Sequence, residues 1–504
     1  MRLLLALLYT GLGSWHHPVH TKSPEAQKYF DQGLILLYGF NRHESFLSFQ
    51  KAAELDPNMA MAYWGIAAAL GPYINMDLDP EFKIKESCDA VARGLKVPNL
   101  ADTDKQWLKA AETRCPDFAN PAAYIDAMRA LSAAMPDDPD AKTLYAEALM
   151  IPIRWHWYAN GQSAPGELEA ERLLEEVIRR YPQHPGANHF YIHAAESSPT
   201  PERAIPSAQR LMGITPSAGH MVHMPGHIWL VVGDYENAAV VNERAAEVDR
   251  QYFQHHSVHT GYYMYYLHNL TFITYARGMQ GRVAEGTAAA KQLQKAIAAV
   301  AKEMPDVAFM GGPATDVLLR NQQWDDVLKL PNPDVANHAL AAVWRASRAL
   351  AYSGKHDTPN AAAEQKAFEA EKIQVDPNAP YGNNKAADVL ALLSAVVQAR
   401  LSGAVEDWKK ADALQDALIY DEPPPLFYPV RESLGAALLR AGDPVAAEQA
   451  FRDGLSRSPH NGRMLFGLLE ALKAQHKTDA AVWVEREYKE AWQGATLIVR
   501  LEDL

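Results

Sequence analysis

Only two cysteines, Cys88 and Cys115, occur in 504 residues. That scarcity excludes a disulfide framework and any zinc module built on clustered thiolates. The pair reads as two buried free thiols, with a single bridge as the alternative. No block of Lys and Arg interrupts the chain. With 61 acidic against 48 basic residues its net charge is −13, which disfavours nucleic acid and anionic membranes as partners. No apolar run approaches the roughly 18 residues of a membrane span. The nearest candidate, "MRLLLALLYTGLGSW", has one arginine, a short apolar core and then small residues. This is the pattern of a short signal peptide or of an extended N-terminus, so residues 1–20 are set apart. Periplasmic export and cytoplasmic residence both stay open.

What the chain does have is a repeated grammar. "FNRHESFLSFQKAAELDPNMAMAYWGIAAAL", "GDYENAAVVNERAAEVDR" and "GDPVAAEQAFRDGLSRSPHNGRMLFGLL" each combine a turn, a helix with small residues at fixed offsets and, usually, a proline break. These segments resemble tetratricopeptide (TPR) repeats. In one unit Gly226, Trp229, Gly233, Tyr235, Ala238 and Ala245 fall on the signature positions of that family. Units are expected to begin near Ala26, Ala60, Pro185, Gly219, Leu267, Leu340, Tyr428 and Gly462, with a weaker one near Lys142. The resemblance implies an all-α fold, a TPR-type helical-hairpin superhelix (α-solenoid). In such a fold each helix pair buries its apolar stripe only against its neighbours. An array this long could curl around a central cavity.

Three regions follow the N-terminal segment: residues 21–140 with repeats and irregular helices, 141–300 with central repeats, and 301–504 with C-terminal repeats. The period leaves unexplained Asp77 to Asp140, "PYGNNKAAD" near 380, "EPPPLFYP" and an insertion, "FQHHSVHTGYYMYY".

Most of the 19 histidines fall between His156 and His268. His189 and His223 are 34 residues apart, as are His193 and His227, so the same positions of two adjacent units are histidine. By the TPR resemblance these positions, with His220 and Glu196, face the concave groove. Residues four apart on a helix differ by about 40° and about 6 Å, so both imidazoles of an H-x-x-x-H pair reach one ion. His268, at the matching position after the insertion, is a sixth candidate ligand, and His255, His256 and His259 are loop candidates. Pro225 complicates the second pair, because it must kink the helix or start it near Met224.

Imidazole-rich sets suit copper, iron and zinc, with copper or iron favoured here for redox chemistry. Glu196 would be ligand or base, Arg431 would steer an anionic substrate unless an internal ion pair takes it, and Glu432 should face the groove. His16, His17 and His20 would form a flexible metal-scavenging terminus or a lid. "GANHFYIHAAE", "GHMVHMPGHI" and "YPVRESLGAALLRAG" also resemble a group of long bacterial TPR-containing proteins, from which "FNRHESF" departs by the placement of His43. The leading expectation is a metalloenzyme that oxidises a small-molecule substrate with dioxygen. Alternatives are a metal-dependent hydrolase, a scaffold for a protein or peptide partner in the groove, and a metal store.

Overall fold

Phe49 explains why the grammar needs small residues. A Cβ on Gly33 or on Gly65, sixteen residues to either side, would lie 2.8 or 2.3 Å from its ring. The same arrangement recurs around Phe451, where a Cβ on Gly435 or Gly467 would come within 2.5 or 2.2 Å. Both rings are fully buried. One aromatic wedged between two glycine-bearing helices is therefore the packing unit, and it fixes the helix spacing.

The computed structural model describes residues 8–75, 83–255, 260–303, 310–333, 337–426 and 428–504. The first helices are α1 (Pro24–Tyr38), α2 (Arg42–Leu55), α3 (Ala60–Ala69), α4 (Ile84–Gly94), α5 (Asp102–Glu112), α6 (Pro121–Ala134), α7 (Pro139–Met150) and α8 (Glu167–Arg180). There follow α9 (Pro185–Glu196), α10 (Ile205–Ile214), α11 (Gly219–His223), α12 (Pro225–Val231), α13 (Tyr235–His255), α14 (Thr260–Met279), α15 (Val283–Val300), α16 (Gly312–Arg320) and α17 (Trp324–Lys329). The last are α18 (His338–Gly354), α19 (Thr358–Lys372), α20 (Ala386–Ser402), α21 (Val405–Asp416), α22 (Arg431–Arg440), α23 (Pro444–Arg457), α24 (Gly462–Ala474) and α25 (Thr478–Ala491). Neighbours in sequence pack as helical hairpins, α1 on α2, α22 on α23 and α24 on α25 among them. The chain is an all-α, TPR-like helical repeat protein.

Helix starts are written in the sequence by a cap followed by proline. Ser23-Pro24, Asn120-Pro121, Asp138-Pro139, His184-Pro185 and Asp443-Pro444 each place an accepting side chain at the cap and Pro in the first turn. The expected starts at Ala60, Pro185, Gly219 and Gly462 coincide with α3, α9, α11 and α24. The stretch from Asp77 to Asp140 holds α4, α5 and α6 among its described residues, and "PYGNNKAAD" contributes a two-strand hairpin, Pro380–Tyr381 with Asn384–Lys385. The described residues of the insertion are helical: α13 runs on to His255 and α14 begins at Thr260. His256 and His259 lie outside the described residues.

Chain contacts define two compact units, Met1–Ile228 with Arg244–Tyr262, and Trp229–Glu243 with Tyr263–Leu504. In the first, the cysteines are not free. Cys88 on α4 and Cys115 after α5 have Cα atoms 5.8 Å apart and form a disulfide. The hairpin brings them within bridging range, which spacing along the chain could not show. Residues 9–20 are also anchored. His16, His17 and His20 place Nδ1 2.8 Å from Asp31, Asp140 and Asp104, respectively, so these histidines are held by carboxylates and are not a loose terminus. Buried Asp140 additionally accepts from the Tyr38 hydroxyl at 2.6 Å and from Trp15 Nε1 at 3.1 Å, and His184 Nε2 lies 3.2 Å away.

In the second unit, distant hairpins meet. The Tyr235 hydroxyl donates to Pro459 O at 3.1 Å, and the Leu497 amide donates to Gly281 O at 3.1 Å. Among the described residues no helix is long and apolar enough to cross a membrane.

Candidate metal centre

Two glycines let the histidine helices pack closely, α9 against Tyr38 of α1 and α11 against Asp249 of α13. A Cβ on Gly186 would lie 2.4 Å from the Tyr38 ring, so α9 can approach α1 this closely only with Gly there. Gly219 is the equivalent at α11, where a Cβ would lie 1.9 Å from Asp249 Oδ1. Pro225 resolves as a break: α11 ends at His223, Met224 forms a turn, and α12 starts at Pro225. The Met224 amide still bonds His220 O at 3.1 Å, so the chain is kinked and His220 and His223 stay on a helical turn.

This geometry brings together His189, His193, His220, His223, His227 and Glu196, each at most 2% exposed. One ring nitrogen each from His189, His193 and His220 lies within 4.8 Å of the other two. His189 donates Nδ1–H to Tyr38 O at 2.6 Å, which turns its Nε2 inward. That Nε2 is buried and has no hydrogen-bond partner among the described residues. Glu196 accepts from His193 Nδ1 at 3.0 Å and also pairs with His227 Nδ1. A carboxylate on Nδ1 fixes the tautomer and raises the basicity of Nε2, which is how supporting groups orient metal-binding imidazoles. His223 Nε2 lies 2.6 Å from His227 Nε2.

Burial, and next the neighbouring His193, hold His189 well below the usual histidine range. Burial, then His189, His223 and His193, do the same to His220. Both imidazoles are therefore neutral at pH 7 and present lone pairs rather than charges.

Phe40 completes the site and has no signal in the histidine pattern. It follows Gly39 at the α1–α2 turn with φ +56°, a left-handed conformation uncommon for a bulky residue. Its ring centroid lies 4.6 Å from His189, 5.1 Å from His220 and 6.1 Å from His193. Trp157, fully buried, covers His193 from another side at 5.8 Å. Aromatic walls exclude water and strengthen every electrostatic interaction inside.

The remaining candidates belong to the second unit. His268 on α14 belongs to the second unit, half-buried, with its ring 4.9 Å from Phe272. Arg431 pairs with Asp416 at 2.7 Å and Asp412 at 3.2 Å, the internal ion pair rather than a free substrate clamp. Glu432 is fully buried between Arg320 (2.8 Å) and Arg463 (2.9 Å), with Asn461 donating at 2.8 Å. Burial alone would raise its carboxyl, but the two guanidinium groups outweigh that and hold it below the usual range.

No protein-family model matches the chain, and no curated protein does. Among solved structures the chain is similar to one titled "Crystal structure of APC/C hetero-tetramer Cut9-Hcn1", at 12% identity over 95% of this chain and 75% of that one, with a TM-score of 0.31. It is also similar to the human IFIT1 dimer with m7Gppp-AAAA, at 11% identity over 94% and 91% of the two chains, TM-score 0.33. Likeness at this level extends to neither activity nor partners.

Proposed function

We propose that this chain binds a transition metal on its TPR-like scaffold, with His189, His193 and His220 as ligands. The observation that carries this is the His189 Nε2, buried and without a hydrogen-bond partner, beside two imidazoles whose nitrogens lie within 4.8 Å. A neutral ring nitrogen left unsatisfied in an apolar wall costs about 1–3 kcal/mol, which a metal–ligand bond would more than offset. A nitrogen-only donor set ranks copper first by intrinsic affinity, with iron and zinc also compatible. Glu196 would then act behind the ligands, orienting His193 and His227, rather than as a base.

Turnover needs an open ligand position and a route for substrate. Side chains at most 2% exposed favour retention of a metal over oxidation or hydrolysis of an organic substrate. Elemental analysis of protein purified without a histidine tag tests this. At least one equivalent of copper, iron or zinc per chain is expected in the wild type, and less than a tenth of it in His189→Ala/His193→Ala. A wild type that carries no stoichiometric metal and takes up none of the three ions overturns the proposal.

A further inference from the structure

Each histidine of the proposed metal centre is at most 2% exposed, so an ion reaches it only if a wall moves. Two of the walls are aromatic. The turn that bears Phe40 is itself buried from Gly39 to Asn41. The other is a strap, residues 154–166, between the short turn Ile151–Ile153 and α8. His156, Ala159, Asn160, Gly161, Gln162 and Pro165 are exposed along its outer side. Trp157 reaches inward onto His193, with half-buried Trp155 beside it, 6.4 Å from the same imidazole. Of these two walls, only the strap has solvent on its far side.

It is lightly fastened. The Trp157 indole N–H donates to Met150 O at 3.1 Å, and the Ala164 amide donates to Trp157 O at 2.8 Å. A short hairpin, Tyr158–Ala159 with Gln162–Ser163, shapes the tip, and the Tyr158 hydroxyl donates to Glu171 on α8 at 2.8 Å. Exposed segments of this kind open at lower cost than the helices they cover.

The strap ends on Glu167, the first residue of α8, whose amide donates to Ala164 O at 3.1 Å. Glu167 is fully buried, and neither of its carboxyl oxygens has a hydrogen-bond partner among the described residues. The charges that act on it are Glu171, one turn further along α8, and Arg203 from the turn Pro201–Ala204, and these two pair with each other. Tyr158 of the strap and Tyr191 of α9 face that pair. Lys142 and Tyr145 of α7 bond Glu176 and Glu169 instead. A buried carboxylate without a donor is costly, so the group is held as the neutral acid. Burial, and then Glu171, raise its pKa from 4.5 to about 8, against the opposing charge of Arg203.

We propose that the strap is the gate through which an ion reaches His189, His193 and His220, latched while Glu167 is uncharged and released when it ionises, a role that rests on the metal centre proposed above. Between pH 4.5 and 8 the closed strap keeps a proton that the open one gives up, so opening eases as pH rises.

Hydrogen exchange and Cu(II) uptake by the metal-free full chain, in wild type and Glu167→Gln, test this. Gln keeps the shape and cannot ionise. Exchange of the Ala164 amide and the Trp157 indole N–H reports opening without any metal, and dividing wild-type by variant rates cancels intrinsic chemistry. That ratio should rise at least about tenfold from pH 6 to pH 8. The corresponding ratio of Cu(II) uptake rates, followed by quenching of tryptophan fluorescence, should rise with it while the final stoichiometry stays the same. Tyr158→Phe, which removes only the bond to Glu171, should speed both processes at pH 6. An exchange ratio that is flat with pH overturns the latch, and a rising exchange ratio with a flat uptake ratio overturns the gate. Absence of Cu(II) binding in every variant overturns the metal centre and the gate with it, and the exchange ratio still decides the latch.

Discussion

His17→Gln probes the Asp140 network through pH. Burial by itself would lower the His17 pKa, but the hydrogen bond and charge of Asp140, helped by Asp138 and Asp31, outweigh it and push the imidazole from 6.5 up to about 9. A folded-state value above the unfolded one means stability that is fully present below pH 6.5 and lost as pH rises through 9. A rise from 6.5 to about 9, at about 1.4 kcal/mol per tenfold change in proton affinity, gives an upper figure of about 3.5 kcal/mol. Gln keeps a neutral donor to Asp140 and removes only the titration. Hydrogen exchange of amides in α1 and α7 in both proteins reports the local opening free energy, and intrinsic exchange chemistry cancels in the comparison. Wild type should be protected about a hundredfold more than the variant at pH 6, with the gap closing by pH 10. A gap of equal size at both pH values would refute the charged His17–Asp140 pair.

Gly219→Ala places a methyl carbon 1.9 Å from Asp249 Oδ1, so α11 must shift. A cost of about 1–3 kcal/mol is expected, with weakened metal uptake measured by elemental analysis because α11 carries His220 and His223. Phe40→Ala removes a buried ring from against three imidazoles and should cost about 3–5 kcal/mol. Phe40→Gly, free of the Cβ penalty at positive φ, should melt higher than the Ala variant in a thermal scan.

Much of the fold could be read locally, and the reason is physical. A hairpin repeat buries its surface against the next hairpin, so caps, prolines and small residues at fixed offsets carry the pattern, as at Pro185 and Gly462. Helices α4 and α5, which start after Lys83 and Ala101 without a side-chain cap, passed as irregular, and α6 did so despite its Asn120-Pro121 start because it falls outside the repeat period. The pairing of His189 with His223 and of His193 with His227 could be read from their 34-residue register, with His220 placed beside them by its groove position in the same unit. Phe40 did not, because a turn roughly 150 residues earlier joins the site only once α9 lies on α1. Arg431 and Glu432 illustrate the opposite limit. Their positions on α22 were visible, but Asp416, Arg320 and Arg463, which take up their charges, lie on other helices.

The Asp140 network also bears on the order of folding. Most contacts of a hairpin array are local, so its helix pairs can form early and in many places along the chain. The links from Trp15 and His17 to Asp140 instead close loops of 125 and 123 residues. These closures carry the larger entropy cost and yield nothing until α1, α7 and the start of α9 already stand in place. Residues 9–20 are therefore a late-docking clasp, added to a first unit that is already built. A chain stalled before that step would hold its hairpins while leaving the Asp140 carboxylate without its partners.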